Sequence, residues 1–255
     1  MLNAFKILKT KYGGRRSGKK RPVLEQLLIL VIGGDLNHNE VAKALEKLLA
    51  SYIDWNDIRV SNTYEIAHHF TKAGLTNTLP RARRLKQLLQ DIFQFEREYT
   101  FSIFEEMSPD RIKRFLLNLK HVDHAIAAIT MRNSLGYNTT PVNQALTRVL
   151  KRLGVIQPSE TLARTQKLLD ELLPESDMFT FFKLFEDLGG KTCTQDNYDC
   201  FSCLLKKSCK TGNRLKKKTA KETPKKQIAA SKKNTRKKAK YSAGVKKKIR
   251  KQQSA

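Results

Sequence analysis

The chain of 255 residues carries 50 Lys and Arg against 24 Asp and Glu, a formal net charge of +26, with 40% apolar residues, 8% aromatic ones and four cysteines. That length allows one large domain or two small lobes. A membrane span is excluded, because the longest apolar stretch, Val23 to Ile32, contains Glu25 and Gln26 and is about half the roughly 20 residues a bilayer needs.

The charge sits at the ends. Residues 1–21 hold eight basic and no acidic side chains and residues 210–255 nineteen basic and one acidic, leaving 23 of each sign between them. A basic N-terminal arm over 1–21 is therefore expected. It is too long for the leader region of a secretory signal, and no small-residue cleavage site follows Ile32. Between these ends, apolar residues recur at intervals of three and four, as in Leu85, Leu88, Leu89 and Ile92, or Val142, Leu146, Val149, Leu150 and Leu153. Breaks at Gly33-Gly34, Gly74, Pro80, Pro109, Gly136, Pro158, Pro174 and Gly189-Gly190 divide the body. The pattern predicts helices near 23–32, 39–51, 62–73, 81–95, 109–118, 123–134, 143–153, 160–172 and 177–188. No sustained period-two run predicts a sheet and no tandem repeat is visible, so the fold class is all-α. Trp55, the only tryptophan, reads as an anchored core residue.

All four cysteines follow the last helix, in the pattern C-x6-C-x2-C-x5-C: Cys193, Cys200, Cys203 and Cys209. Four soft ligands in so short a span suit tetrahedral zinc or a [4Fe-4S] cluster. Beyond them lies a tail over 210–255, with Lys216-Lys217-Lys218 and Arg236-Lys237-Lys238 among its basic runs. It has too little apolar surface to offset ordering entropy and is expected to be disordered. Its charge implies a polyanion, most simply DNA; composition alone equally allows RNA or an acidic membrane surface.

The cysteine spacing after Gly189-Gly190 resembles the iron-sulfur loop of endonuclease III and its helix-hairpin-helix DNA-glycosylase relatives. Leu135-Gly136-Tyr137 through Pro141 to Val149, followed by Arg152-Leu153-Gly154, resembles without a gap the family's FG-x5-VD-x-H-x2-RV segment and its sequel. Leu119 to Ala127 falls on the family's hairpin LPGVGxKTA, and Ala73-Gly74-Leu75 resembles the turn before the helix that precedes it. The resemblance implies a two-lobed fold. One lobe, 37–153, is a helical barrel with a degenerate hairpin at 119–127; the other combines 22–36 with 154–209 around a [4Fe-4S] cluster held by the four cysteines.

The family's amine nucleophile is the hairpin Lys, here Ala125, and its essential Asp falls on Asn143. Neither position can do the inherited chemistry, because alanine has no nucleophile and an amide cannot support a developing positive charge as a carboxylate does. Asn143 reads instead as the N-cap of the helix after it. His121 and Asp123 replace hairpin glycines, and Asp123 can cap the N-H groups that would otherwise meet a phosphate. The family's base-wedging Gln has no counterpart at Gly33-Gly34-Asp35.

The expected function is thus a DNA-binding iron-sulfur protein of the base-excision-repair family without the bifunctional glycosylase and lyase mechanism. Double-stranded DNA, damaged DNA included, is the expected partner of a monomer in the cytoplasm, associated with the nucleoid. The expected DNA contacts are Lys120, His121, His124, Lys216, Lys217, Lys218, Arg236, Lys237 and Lys238. One alternative is an active glycosylase with catalysis relocated to Lys120, His121 or His124; another is a nucleoid or RNA-binding protein that uses the fold as a platform.

Overall fold

A computed structural model describes residues 1–15, 20–34, 36–196 and 198–215. Among the described residues there is no strand beyond one isolated bridge between Cys193 and Tyr198. Eleven α-helices follow in order: α1 Leu2–Tyr12, α2 Val23–Gly33, α3 His38–Leu49, α4 Trp55–Val60, α5 Thr63–Lys72, α6 Thr78–Glu96, α7 Pro109–Asn118, α8 His124–Leu135, α9 Gln144–Leu153, α10 Leu162–Leu172 and α11 Glu175–Lys191. A 3-10 turn spans Ser102–Glu105. All nine helices expected from periodicity are present, with ends moved by a few residues.

The helices enclose two apolar cores. The first is built from α2 through α8, with Leu27, Leu28, Leu48, Ile58, Ile66, Phe70, Leu85 and Leu116 fully enclosed. The second gathers Phe5 and Leu8 of α1, Leu146, Val149 and Leu150 of α9, Leu169 of α10, and Phe181, Phe182 and Phe185 of α11. Phe181 and Phe185 stack at 4.3 Å, and Phe5 tilts against Phe181 at 5.3 Å.

Three expectations are corrected by this packing. Residues 2–12 are a docked helix rather than part of an arm: Ala4, Phe5 and Leu8 form an apolar stripe beneath the lysines, which point outward. Helix α2, assigned with 22–36 to the iron-sulfur lobe, belongs chiefly to the first core. It is apolar all round, as a helix enclosed by neighbours must be, and packs against α3, α6 and α8 while giving only Leu30 to the second core. Helix α9, assigned with 37–153 to the barrel, turns its apolar stripe onto α11 in the second core.

The end of α2 is fixed by a buried cation. The Arg81 side chain, 4% exposed, donates from Nη1 to the carbonyls of Ile32 and of Gly33 (2.8 Å) and from Nε to Thr76 O at 2.8 Å. The Ile32 and Gly33 carbonyls are among those a helix C-terminus leaves without intrahelical partners. The bonds also hold the Gly33-Gly34 turn, where Gly34 takes φ +53°, against the mouth of the space between the cores.

Candidate functional site

Ala125 and Asn143, the positions that the sequence resemblance aligns with the family's catalytic residues, meet in a cavity of about 840 Å³ between the two cores, lined also by Asp123 and residues of α2, α3 and α11. Ala125 is 6% exposed and packs into the second core. Asn143 is the N-cap of α9: its Oδ1 accepts from Leu146 N at 3.0 Å, as expected from its residue type. Its other end has a partner the sequence did not disclose. Asn143 Nδ2 donates to Glu186 Oε1 at 2.7 Å, and Glu186 Oε2 accepts from Lys183 Nζ at 2.5 Å. Both α11 side chains line the cavity, together with His38, Asp187 and Lys191. Contact with the surrounding protein and the charge of Lys183 push the His38 pKa down, and Glu186 pushes it back up.

The hairpin joins α7 to α8. Asp123 caps α8, its Oδ1 accepting from Ile126 N at 2.8 Å, so the N-terminal donors that would face a phosphate already have a carboxylate. Lys120 N donates to the buried Asp91 at Oδ2, 3.0 Å away, which ties the turn to α6. Lys120 and His121 are exposed and His124 is half-buried, its pKa lowered first by burial and then by Lys113. None of these three side chains lines the interlobe cavity.

His121 occupies the left-handed region at φ +66°. A residue with a Cβ is disfavoured there by roughly 1–2 kcal/mol, offset in part by the greater freedom of glycine in the unfolded chain. His121→Gly is therefore expected to stabilise the protein by about 0.5–1 kcal/mol, read as a higher thermal midpoint. A lower midpoint would show that the imidazole makes a stabilising contact.

At the other end of the second core, Cys193, Cys200, Cys203 and Cys209 all line one small cavity with Arg152, Asp199, Lys206, Thr211 and Gly212. Arg152 Nη1 donates to Cys193 Sγ at 3.3 Å, and Gly212 N to Cys209 Sγ at 3.5 Å. Burial, then the other cysteines, push the Cys200 thiol up; burial also raises Cys203. Among the described residues, no three His, Cys, Asp or Glu side chains converge as ligands of a single metal ion. The loop is anchored by α9: Arg148 donates to the carbonyls of Gly189 and Cys193 (2.7 and 3.0 Å), and Arg152 to those of Thr194 and Gln195 (2.6 and 2.9 Å). Asp199 accepts from Phe201 N and Ser202 N. Its acid thus organises the turn into Cys203. Lys216, Lys217, Lys218, Arg236, Lys237 and Lys238 lie outside the described residues.

This two-lobed helical architecture, with a hairpin between α7 and α8, defines the class as the helix-hairpin-helix DNA-glycosylase fold. The chain is similar to endonuclease III in a non-covalent complex with DNA (TM-score 0.58, 19% identity, 85% of this chain and 96% of that one). It is also similar to a thermostable thymine-DNA glycosylase (TM-score 0.55, 19% identity, 82% and 95%). No family model matches the sequence. Among curated proteins it is 25% identical over 175 residues to DEMETER-like protein 2 of Arabidopsis thaliana, covering 62% of this chain and 13% of that protein. With the transcriptional activator DEMETER of the same plant it shares 24% over 197 residues, 69% and 10% respectively. The chain thus spans about a tenth of the length of these plant proteins. Its fold is that of the endonuclease III-like, helix-hairpin-helix DNA glycosylases. Among the described residues, no helix is long and apolar enough to cross a membrane.

Proposed function

We propose that this protein is a DNA-binding iron-sulfur member of the base-excision-repair fold that has lost the bifunctional chemistry of the inherited positions. The observation that carries this reading is the interlobe cavity itself. It persists at about 840 Å³, while the amine position is the buried Ala125 and the carboxylate position has become the helix cap Asn143. The solved structures it resembles include complexes of endonuclease III with DNA, which supports double-stranded DNA as the ligand.

Affinity in this reading comes mainly from the basic runs of 210–255 and from Lys120 at the hairpin, since Asp123 occupies the hairpin's phosphate-facing donors. If about ten phosphates are neutralised, log K of the full chain falls against log salt with a slope near −9. The test is duplex binding across a salt series, with and without an abasic-site analogue. A shallow slope together with no preference for the abasic duplex would overturn the reading.

What supports an iron-sulfur group is donor chemistry rather than a formed ligand set: the four cysteines line one small cavity, and N-H groups of Arg152 and Gly212 donate to two of the sulfurs. Cys193, Cys200, Cys203 and Cys209 would hold a [4Fe-4S] cluster, which supplies a cross-link for a loop poor in apolar residues. Cys203→Ser is expected to bleach the visible absorption of the purified protein and to lower its thermal midpoint. Unchanged colour and midpoint would refute a structural cluster.

A further inference from the structure

We propose that the cavity between the end of α9, the loop 155–160 and the segment after Cys209 binds a free nucleoside diphosphate, with guanine as its preferred base. The cavity has a volume of about 440 Å³, within the range of small-molecule pockets. It shares no lining residue with the larger cavity between the two cores. The site therefore stands apart from the DNA-binding reading above and does not depend on it.

Three observations point to this ligand. Lys151, Lys210 and Arg214 bring three positive charges to the cavity, and among the described residues none of these side chains has an ion pair or a hydrogen bond. Arg152 also lines the space, but its guanidinium is engaged by the carbonyls of Cys193, Thr194 and Gln195. Three free cations match the charge of a diphosphate, and the guanidinium among them can hold phosphate oxygens through paired N-H donors. The second observation is an acid without a donor. Glu160 lines the same cavity, and its Oε1 is shielded from solvent with no hydrogen-bond partner, although the three cations share the space. Buried polar atoms in folded proteins are paired as a rule, so this oxygen calls for a donor that the chain does not supply. Guanine offers a carboxylate two adjacent donors, N1-H and the N2 amino group, whereas the N3-H of uracil lies between two carbonyl oxygens that repel it.

The third observation is the frame. Val155, Ile156, Pro158 and Leu168 give the cavity an apolar wall suited to the face of a base. Its two halves are tied together, since Arg152 O accepts from Thr211 Oγ1 at 3.0 Å and from Cys209 Sγ at 3.4 Å. A Cβ at Gly154 would lie 2.8 Å from Lys210 Cδ, so the glycine lets the lysine stem lie against the backbone at the end of α9.

The experiment is calorimetric titration of the full chain with GDP, UDP and pyrophosphate at physiological ionic strength. The expected result is one-to-one binding of GDP, tighter than UDP or pyrophosphate by about tenfold or more. The lysine-rich ends can attract the phosphates but cannot tell the bases apart. Glu160→Gln is expected to remove the preference for GDP over UDP while leaving pyrophosphate binding unchanged, and Lys210→Ala combined with Arg214→Ala to weaken GDP binding by about tenfold or more. Equal affinity for GDP and UDP overturns the proposal, as does GDP binding that none of these substitutions alters. The wild-type comparison decides even where a variant folds poorly. A guanine-containing single strand is added in competition: GDP that stays bound supports a free nucleotide, whereas displacement at equal concentration assigns the site to a nucleic-acid strand and overturns it.

Discussion

Gly189→Ala is expected to destabilise the protein by about 3 kcal/mol, which for a folded body of this size lowers the thermal midpoint by roughly 6–12 °C. A Cβ at position 189 would lie 2.7 Å from the carbonyl oxygen of Ala145 and 3.0 Å from that residue's carbonyl carbon. Both are backbone atoms in the first turn of α9, so no side-chain rotation relieves the contact and α11 must move away from α9. Helix α11 runs through Gly189 and Gly190 to Lys191, and these glycines do not end it. The first permits close helix approach instead. The displacement has local consequences, because Gly189 O accepts from Arg148 and Glu186 lies one turn earlier, bonded to Asn143. Loss of stability should thus be accompanied by loosening of the loop that starts at Cys193, measurable as faster hydrogen exchange there. A midpoint within about 2 °C of wild type would mean that the two helices are not held at this separation.

Restoring the inherited acid with Asn143→Asp should produce a pH-dependent loss of stability. The new carboxylate can still cap α9 through Leu146 N, but it gives up the Nδ2 donor and faces Glu186 Oε1 across the 2.7 Å now spanned by a hydrogen bond. Two carboxylates so close cannot both ionise freely, and one of them keeps a proton with its pKa raised. A carboxyl whose pKa is higher in the folded than in the unfolded state contributes stability below the unfolded value, near 4, and loses it as pH rises through the folded value. A shift of about two units puts the variant close to wild type at pH 4 and behind it by about 2–3 kcal/mol at pH 7. Urea unfolding at several pH values checks this. A stability difference that does not change with pH would show that Glu186 has swung away from position 143.

Most of the helices were readable because a 3.6-residue apolar repeat survives in them, strongly in α9 and α3. Helix α1 escaped because its lysines dominated the reading of 1–21, although Ala4, Phe5 and Leu8 are present in the same eleven residues. Helix α4 is only six residues long, too short for a repeat to show. The N-caps Asn143 and Asp123 were legible from residue type and position alone, and the structure gives each its backbone donor. The division of helices between the cores was less legible: α2 is apolar on every side, so its composition does not say which core receives it. Lys183 and Glu186 were not legible as part of a site. In sequence they are ordinary polar residues among phenylalanines, and their approach to Asn143 spans 43 residues. Lys120, His121 and His124 neighbour position 125 in sequence, but none of them lines the cavity that Ala125 and Asn143 share.

The docking of α1 on α11 also constrains how the molecule is made. Phe5 meets Phe181 at 5.3 Å, and Lys9 reaches Asp177 at 2.6 Å. During synthesis at roughly 5–20 residues per second, the first helix leaves the ribosome many seconds before the surface that will cover it. Helices α2 to α8 can collapse on one another in that interval, since the first core lies wholly within residues 24–131. The second core cannot close until α11 has emerged. The apolar stripe of α1, Ala4, Phe5 and Leu8, is therefore the surface a nascent chain exposes longest, and the one a ribosome-associated chaperone would have most reason to shield.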